Sequence, residues 1–199
     1  MSTMSPFTFI FIGRSGCGKG TQAKLLEEML QKKYADNPVF YLETGQGFRD
    51  FIQQGTYTSQ LSKKMYESAT PQPTFLAVWM WSHMLVDDFK GNEHLLIDGT
   101  PRAYAEALVL SAALKFYGRT PVVVYLNVSR EWSEARLLGR GRVDDVKPED
   151  VKKRLDWFDK DIKPAVEYFR FNSDFQFLDI DGERPVDEIH KEIVERLAI

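Results

Sequence analysis

The fold of this chain is decided by Phe7–Thr21, which reads FTFIFIGRSGCGKGT. Apart from Thr8, the first six residues are apolar, a pattern typical of a strand that is buried on both faces of a parallel sheet. The glycines that follow let the backbone curl so that successive N–H groups point inward. A helical pattern from Thr21 to Tyr34 then adds the partial positive charge of a helix N-terminus. The order strand, glycine loop, helix therefore predicts a phosphate-binding site.

The loop itself approaches the P-loop pattern but departs from it at one position. Lys19 is placed to reach the β- and γ-phosphates of a nucleotide, yet Gly20 stands where a strict P-loop has Ser or Thr, and Thr21 comes next. A glycine-rich turn that merely caps a helix would not need all of these spacings. Cys17 is interpreted as a small residue tolerated beside the phosphates. The residues expected to contact the donor phosphates are Gly13, Ser15, Gly16, Cys17, Gly18, Lys19, Gly20 and Thr21.

Four further apolar runs alternate with helical patterns along the chain. The runs are Val39–Leu42, His94–Ile97, Val122–Val128 and Phe175–Ile180, and the helical patterns after the first are Thr74–Phe89, Ala103–Tyr117, Ser129–Gly139 and Pro148–Phe171. This alternation predicts a three-layer α/β fold with a five-stranded parallel sheet flanked by helices. The stretch 44–73 holds two short helical patterns and no strand, so we expect an insertion that projects from the sheet.

Composition excludes several classes of protein. The 199 residues fit a single domain, and 26 Lys and Arg against 29 Asp and Glu give a net charge of −3, which disfavours binding to nucleic acid or anionic membrane. A single cysteine excludes a disulfide framework and any multi-cysteine zinc site. The N-terminus lacks the features of a signal peptide, and no apolar run approaches the roughly 20 residues of a membrane span. We therefore expect a cytoplasmic protein.

Charged residues follow the predicted strands, where an open parallel sheet presents its ligand crevice. Arg49 comes just after the second strand, and Arg102 just after the third, which ends at Asp98. A carboxylate in that position can organise Mg²⁺ through the water shell of the ion. Either arginine could instead be an ordinary surface charge.

A third group of arginines follows the fourth strand and comprises Arg136, Arg140 and Arg142, with Arg154 farther along the next helix. Grouped arginines on a chain of net negative charge suggest clamps on developing phosphoryl charge. The alternative is a solvated helix face, because Arg136 and Arg140 are four residues apart. The residues alone leave both interpretations open.

Together these segments resemble adenylate kinases and the wider nucleoside monophosphate kinase family, nearly from end to end. The loop of that family also ends as Gly18–Gln22 does, and its Asp-Gly-x-Pro-Arg motif is matched by Asp98–Arg102. Its Thr-Gly-Asp-x-x-Arg motif is similar to Thr44–Arg49. Three weaker similarities are the lid run Arg142–Asp145, the Lys-Lys-Arg-Leu run Lys152–Leu155 and the purine-contacting loop Asp181–Val186.

The resemblance implies a P-loop NTPase-like fold and Mg²⁺-dependent, reversible phosphoryl transfer from ATP to a nucleoside monophosphate, with AMP the first expectation. It implies that the loop around Lys19 holds the donor phosphates and that Asp98 organises Mg²⁺ through water. The acceptor would be bound by Thr44, Gly45, Arg49, Gly99, Arg102 and Glu106. Arg136 would stack on the donor base, with Arg184 in the purine-contacting loop, and the transfer clamps would be Arg140, Arg142 and Arg154.

Two single residues depart from the family pattern. Gln46 replaces the Asp of the Thr-Gly-Asp-x-x-Arg motif, which removes a carboxylate near the metal and the acceptor phosphate. Glu106 replaces a Gln that pairs with adenine. An ionised carboxylate repels the N1 lone pair of adenine but complements the two donors of guanine. The acceptor is therefore hypothesised to be GMP or a broader set of nucleotides, unless Glu106 turns to solvent or pairs with an arginine.

The lid is the largest departure, because only Gly141 separates Arg140 from Arg142. A vestigial lid near 139–145 predicts either hydrolysis of ATP without an acceptor or compensation by a neighbouring subunit. The content of aromatic residues would suit a homo-oligomer. Two rival functions stay open: a nucleotide-dependent assembly factor or switch with slow ATPase activity, and a kinase of small metabolites.

Overall fold

Five parallel strands form one sheet in the order β2-β3-β1-β4-β5. The computed structural model describes residues 5–139 and 147–199. The strands are β1 (Thr8–Gly13), β2 (Val39–Glu43), β3 (His94–Asp98), β4 (Val122–Asn127) and β5 (Gln176–Asp181). The predicted three-layer α/β fold with a five-stranded parallel sheet is confirmed.

The helices lie between the strands along the chain. They are α1 (Lys19–Lys33), α2 (Thr44–Phe51), α3 (Tyr57–Glu67), α4 (Thr74–Asp88), α5 (Tyr104–Phe116), α6 (Arg130–Gly139), α7 (Pro148–Trp157), α8 (Lys163–Phe171) and α9 (Val186–Leu197). A π-helical turn, Phe158–Ile162, joins α7 to α8. The sequence predicts a helical pattern over Pro148–Phe171, and the structure divides it into α7, the π turn and α8. Between β2 and α4, the segment 44–73 folds as α2 and α3.

The alternation of side chains along β1 divides the core into two layers. Ile10 and Ile12 pack on one face of the sheet, against α4, α5 and α8. Phe9 and Phe11 pack on the other, against α1 and α9. All six residues of β1 are buried because helices cover both faces. The apolar run from Phe9 to Ile12 fits this central position in the sheet.

Parallel pairing brings the carboxyl ends of the strands to one edge of the sheet. Asp98 is in register with Phe11 of β1 on one side and with Glu43 of β2 on the other. The loops that follow β1, β2 and β3 therefore meet at this edge, as expected for an open parallel sheet.

Within the described part of the chain, no helix combines the length and the apolar character that crossing a membrane requires. The cytoplasmic location and the homo-oligomer stay predictions.

Candidate active site

A cleft of about 870 Å³ opens at the carboxyl edge of the sheet. Its walls come from the loop after β1, the start of α2, the segment between α3 and α4, the loop after β3, and helices α6 and α7. It is the space in which the predicted site residues would have to meet.

The glycine loop after β1 has the backbone geometry that the sequence predicts. At Gly13 a Cβ atom would lie 2.6 Å from the carbonyl oxygen of Leu126, and Gly18, at the N-cap of α1, has φ +99°. Gly13 therefore has no room for a side chain, and glycine adopts the left-handed conformation of Gly18 without strain. The left-handed N-cap turns Lys19 and Gly20 into the first helical turn, so α1 begins two residues earlier than the pattern from Thr21 predicts.

Lys19 lies across its own loop. Its Nζ atom donates to the carbonyl oxygens of Gly13 at 2.8 Å and Arg14 at 2.9 Å, and it is 3.6 Å from Sγ of Cys17. Cys17 is buried and does not line the cleft. Gly13, Ser15, Gly16, Gly18, Gly20 and Thr21 line the cleft together with Lys19. The loop thus exposes its backbone and its lysine to the same space.

Asp98 lies at the base of the cleft, only 8% exposed. Its Oδ2 atom accepts a hydrogen bond from the hydroxyl of Tyr41 at 3.2 Å and would lie 3.4 Å from a Cβ atom at Gly20. Burial raises the pKa of Asp98, and the charge of Lys19 opposes this shift. Burial and the neighbouring Asp98 also raise the pKa of Tyr41. Tyr41 therefore stays protonated and donates to the carboxylate.

The described residues contain no cluster of three His, Cys, Asp or Glu side chains placed to ligate a metal ion. Mg²⁺ commonly keeps several waters and is held by one or two carboxylates together with substrate phosphates. A single buried carboxylate that faces the phosphate loop fits this kind of site. Asp98 is therefore compatible with Mg²⁺ that is bound mainly to nucleotide.

Arg49 reaches the cleft from α2 and is held by its neighbours. Its Nη2 atom donates to Oε1 of Glu43 at 2.9 Å and to Oε1 of Gln46 at 2.7 Å. Gly45 lines the cleft beside it, and Thr44 is buried, with its hydroxyl donating to the carbonyl oxygen of Asp98 at 3.4 Å. The start of α2 is thus bonded to the end of β3.

Arg102 lies beside Arg49, since a Cβ atom at Gly45 would be 3.4 Å from Nη1 of Arg49 and 3.7 Å from Nη2 of Arg102. Its Nε atom donates to the carbonyl oxygen of Gly99 at 2.6 Å, and its guanidinium carbon lies 5.8 Å from the ring centroid of Trp157. Burial lowers the pKa of Arg102, and the carboxylates of Glu106 and Asp98 oppose this shift. The positive charges of Arg154 and Arg49 lower the pKa further. Arg154 and Arg49 are therefore close enough to repel the charge of Arg102.

Glu106 is buried beneath the loop after β3 and is not part of the cleft wall. Its Oε2 atom accepts hydrogen bonds from the hydroxyl of Thr100 at 2.9 Å and from the backbone N–H of Arg102 at 3.2 Å. Burial raises the pKa of this carboxyl, and both hydrogen bonds oppose that shift. In the structure Glu106 thus supports the loop after β3, and its contact with the acceptor base stays a prediction.

The other predicted site residues are only partly brought together. Arg136 and Arg154 line the cleft, and the guanidinium carbon of Arg136 lies 4.7 Å from the ring centroid of Trp132. Arg184 lies outside the cleft wall and forms ion pairs with Asp181 and Glu192. Arg140, Arg142 and the segment 140–145 of the expected lid lie outside the described residues.

Among the cleft-wall residues that sequence reasoning missed are Tyr41, Glu43 and Trp157. Tyr41 and Glu43 are two apart on β2, so the strand period places them on one face beside Asp98. Trp157 is three residues after Arg154 on α7, and helical periodicity places the two on the same side. Each could have been found by extending the pattern from a neighbouring residue that was already chosen.

Comparison with known proteins agrees with this geometry. The adenylate kinase family model matches residues 11–174. An adenylate kinase of Prochlorococcus marinus (strain MIT 9301) is 30% identical over 190 residues, covering 95% of this chain and 97% of the relative. Adenylate kinases of Oenococcus oeni and Corynebacterium glutamicum (strain R) are 30% and 29% identical, over 87% and 95% of this chain and over 89% and 98% of their own lengths.

The family match covers the phosphate loop, the start of α2, the loop after β3 and α7, which are the elements that build the cleft. The chain therefore belongs to the adenylate kinase family and is a nucleoside monophosphate kinase, a phosphotransferase.

Proposed function

We propose that this protein transfers the γ-phosphoryl group of Mg²⁺-bound ATP reversibly to AMP, giving two molecules of ADP. The observation that supports this proposal is the convergence of the loop around Lys19 with Arg49, Arg102 and Asp98 on one cleft. Phosphoryl transfer requires in-line positioning and charge neutralisation and needs no protein nucleophile. A donor loop opposite two arginines meets that requirement.

On the donor side, backbone N–H groups at Gly16, Gly18 and Gly20 would cradle the phosphates, with the N-terminus of α1 adding its partial positive charge. Lys19 would exchange the carbonyl oxygens of Gly13 and Arg14 for phosphate oxygens. Arg136, which lies at the cleft wall against Trp132, would stack on the donor base. Arg184 would contribute only indirectly, through the loop that it braces by its ion pairs.

On the acceptor side, Arg49 and Arg102 would bind the phosphate of the monophosphate beside Thr44, Gly45 and Gly99. Arg154 would neutralise charge as the phosphoryl group moves. The same role for Arg140 and Arg142 rests on the resemblance of sequence alone. Asp98 would hold Mg²⁺ through the water shell of the ion, and the metal would neutralise the β- and γ-phosphates.

AMP is proposed as the acceptor because the similar proteins are adenylate kinases. A preference for GMP would require Glu106 to leave Thr100 and Arg102 and to turn into the cleft. The switch with slow ATPase activity is not favoured, since such a protein has no use for paired arginines opposite the phosphate loop.

The test is a coupled assay of phosphoryl transfer from Mg·ATP to AMP, GMP, CMP or UMP, with a reaction lacking any acceptor to measure hydrolysis. We expect turnover that depends on AMP, that K19M abolishes, and that K33M on the exposed end of the same helix leaves unchanged. Turnover only with GMP would restore the guanine hypothesis. Slow hydrolysis indifferent to every acceptor would overturn the kinase proposal.

A further inference from the structure

Arg14, the second residue of the phosphate loop, points away from the cleft and into the protein. Its Nε atom donates to the carbonyl oxygen of Val128 at 3.3 Å, and its Nη2 atom pairs with Oδ1 of Asp159 at 2.7 Å. Its guanidinium carbon lies 4.4 Å from the ring centroid of Phe158, and only 16% of its side chain is exposed. One side chain thus ties the loop to the end of β4 and to the π turn.

Asp159 is held from two sides. Its other oxygen accepts a hydrogen bond from Nη1 of Arg130 at 2.8 Å, while Nη2 of Arg130 bonds to Asp156 at 2.6 Å. Partial burial alone would raise the pKa of Asp159, but the hydrogen bonds and charges of Arg14 and Arg130 lower it below its ordinary value. The carboxylate therefore stays ionised between two arginines from different elements.

The backbone of the loop is bound to the same region by a second contact. The hydroxyl of Ser133 on α6 donates to the carbonyl oxygen of Ser15. Ser133 is fully buried, three residues after Arg130. The outer side of the phosphate loop is thus attached to α6 and to the π turn, while its inner side faces the cleft.

The π turn continues from α7, which carries Arg154 and Trp157 into the cleft. Trp157 in turn lies against Arg102 on the acceptor side. Arg14 and Arg154 are therefore linked through one carboxylate and a short length of helix. Any displacement of the π turn relative to the loop changes the distance between the donor phosphates and Arg154.

We propose that the ion pair between Arg14 and Asp159, here called the latch, fixes the position of the phosphate loop relative to α7. It would thereby place Arg154 correctly against the donor phosphates. Arg14 is a positioning residue in this scheme, since it faces away from the reacting atoms. The inference rests on the proposed function for its catalytic consequence, but its effect on nucleotide binding does not depend on the acceptor.

The test compares R14A and D159N with R119A as a matched control. Arg119 also donates to two carbonyl oxygens, of Pro6 and Gly91, and its guanidinium carbon lies 5.1 Å from the ring centroid of Phe89. These contacts lie before β1 and β3, at the edge of the sheet opposite the phosphate loop. Loss of stability is expected in both arginine variants. Loss of function is expected only in R14A and D159N. In R14A, Asp159 keeps Arg130 as its partner, so no carboxylate is left unpaired in the interior.

We expect R14A and D159N each to weaken equilibrium binding of ATP and to lower kcat/KM for ATP by about 10- to 100-fold, as misplacement of reacting groups by a fraction of an ångström to 1 Å does. The double variant R14A/D159N should lose less than the product of the two single losses, since both variants break the contact between Arg14 and Asp159. R14K should not restore activity, because an ammonium cannot at once bond to the carbonyl of Val128, pair with Asp159 and stack on Phe158.

Wild-type binding and kinetics in R14A would overturn the latch, and so would an equal loss in R119A. Effects of R14A and D159N that multiply in the double variant would show two independent contacts and would also overturn it. If the wild-type protein binds ATP but transfers nothing to AMP, the proposed function fails. In that case the ATP dissociation constants of the same variants still test the latch.

Discussion

Oε1 of Gln46 accepts hydrogen bonds from both Nε and Nη2 of Arg49, at 3.1 and 2.7 Å. The amide nitrogen of Gln46 donates in turn to Oδ1 of Asp50 at 2.8 Å. Gln46 stands where the family motif has an aspartate, and in this chain its amide orients the guanidinium plane of Arg49, the proposed ligand of the acceptor phosphate. Gln46, which departs from the motif, thus supports Arg49, which the motif retains.

Q46A is expected to raise KM for AMP by roughly 10-fold, the effect of about 1.4 kcal/mol, with little change in KM for ATP. Q46D, which restores the family residue, should keep most of the affinity because a carboxylate can also accept from Arg49. Steady-state kinetics with each substrate varied in turn measures the split. Q60A on α3 is the control, because Gln60 is exposed and its side-chain amide donates to the carbonyl oxygen of Gly55. An unchanged KM for AMP in Q46A would refute the role given to Gln46.

E106Q is expected to leave the preference for AMP over GMP unchanged, because a glutamine oxygen can accept from Thr100 and from the N–H of Arg102 as the carboxylate does. E106A should lower the free energy of unfolding by about 1–3 kcal/mol, since two buried donors lose their partner. The ratio of kcat/KM for the two acceptors and a urea titration measure these effects. A change of preferred base in E106Q would show that Glu106 reads the acceptor.

D98N is expected to weaken Mn²⁺ binding in the presence of ATP and to raise the concentration of Mg²⁺ needed for half-maximal turnover. The reason is that an amide attracts the hydrated ion less than a carboxylate does. Electron paramagnetic resonance of Mn²⁺ measures the first effect independently of activity. D88N, at the exposed end of α4, is the matched control. Equal Mn²⁺ affinity in D98N and the wild-type protein would argue against a role of Asp98 at the metal.

His94 is expected to make the protein less stable in mild acid. It is fully buried, and its Nδ1 atom accepts a hydrogen bond from the N–H of Phe7 at 2.9 Å. Burial, and then the charge of Arg119, lower its pKa in the folded protein. The unfolded chain therefore takes up a proton more readily. This contribution to stability is present above the ordinary pKa near 6.5 and is lost as the pH falls below it.

H94N keeps an acceptor for Phe7 and removes the titrating ring. We expect the free energy of unfolding of the wild-type protein to fall more steeply than that of H94N below about pH 6.5, by up to about 1.4 kcal/mol per pH unit. Urea titrations from pH 8 to 5 measure both slopes. H83N, at an exposed site paired with Asp87, should retain the wild-type slope. Parallel slopes for H94N and the wild-type protein would contradict the assignment.

The parts of the site that the sequence predicts are those carried by contiguous patterns. Lys19 follows a strand and opens a helix within one short run, and Asp98, Arg49 and Arg102 stand at strand ends, which a parallel sheet must bring to one edge. Local spacing thus determines their positions. The bonds between Gln46 and Arg49, at i and i+3 on α2, belong to the same class.

Contacts between distant segments could not be predicted in this way. The pairing of Arg14 with Asp159 depends on how α7 packs beside the phosphate loop, and the apolar period through Pro148–Phe171 gives no sign of the π turn that makes it possible. The position of Glu106 depends on a choice of side-chain rotamer between the cleft and the interior. Such a choice is made by burial and by hydrogen-bond partners that only the folded chain supplies.

The ammonium of Lys19 already has two oxygen ligands from its own loop, the carbonyls of Gly13 and Arg14. A ligand must displace these carbonyl oxygens before it can bind the ammonium group of Lys19. A lone orthophosphate ion can offer little besides that exchange, whereas a triphosphate also spans the backbone N–H groups along the loop. We therefore expect the loop to discriminate among anions by the number of oxygens that they present, independently of the base.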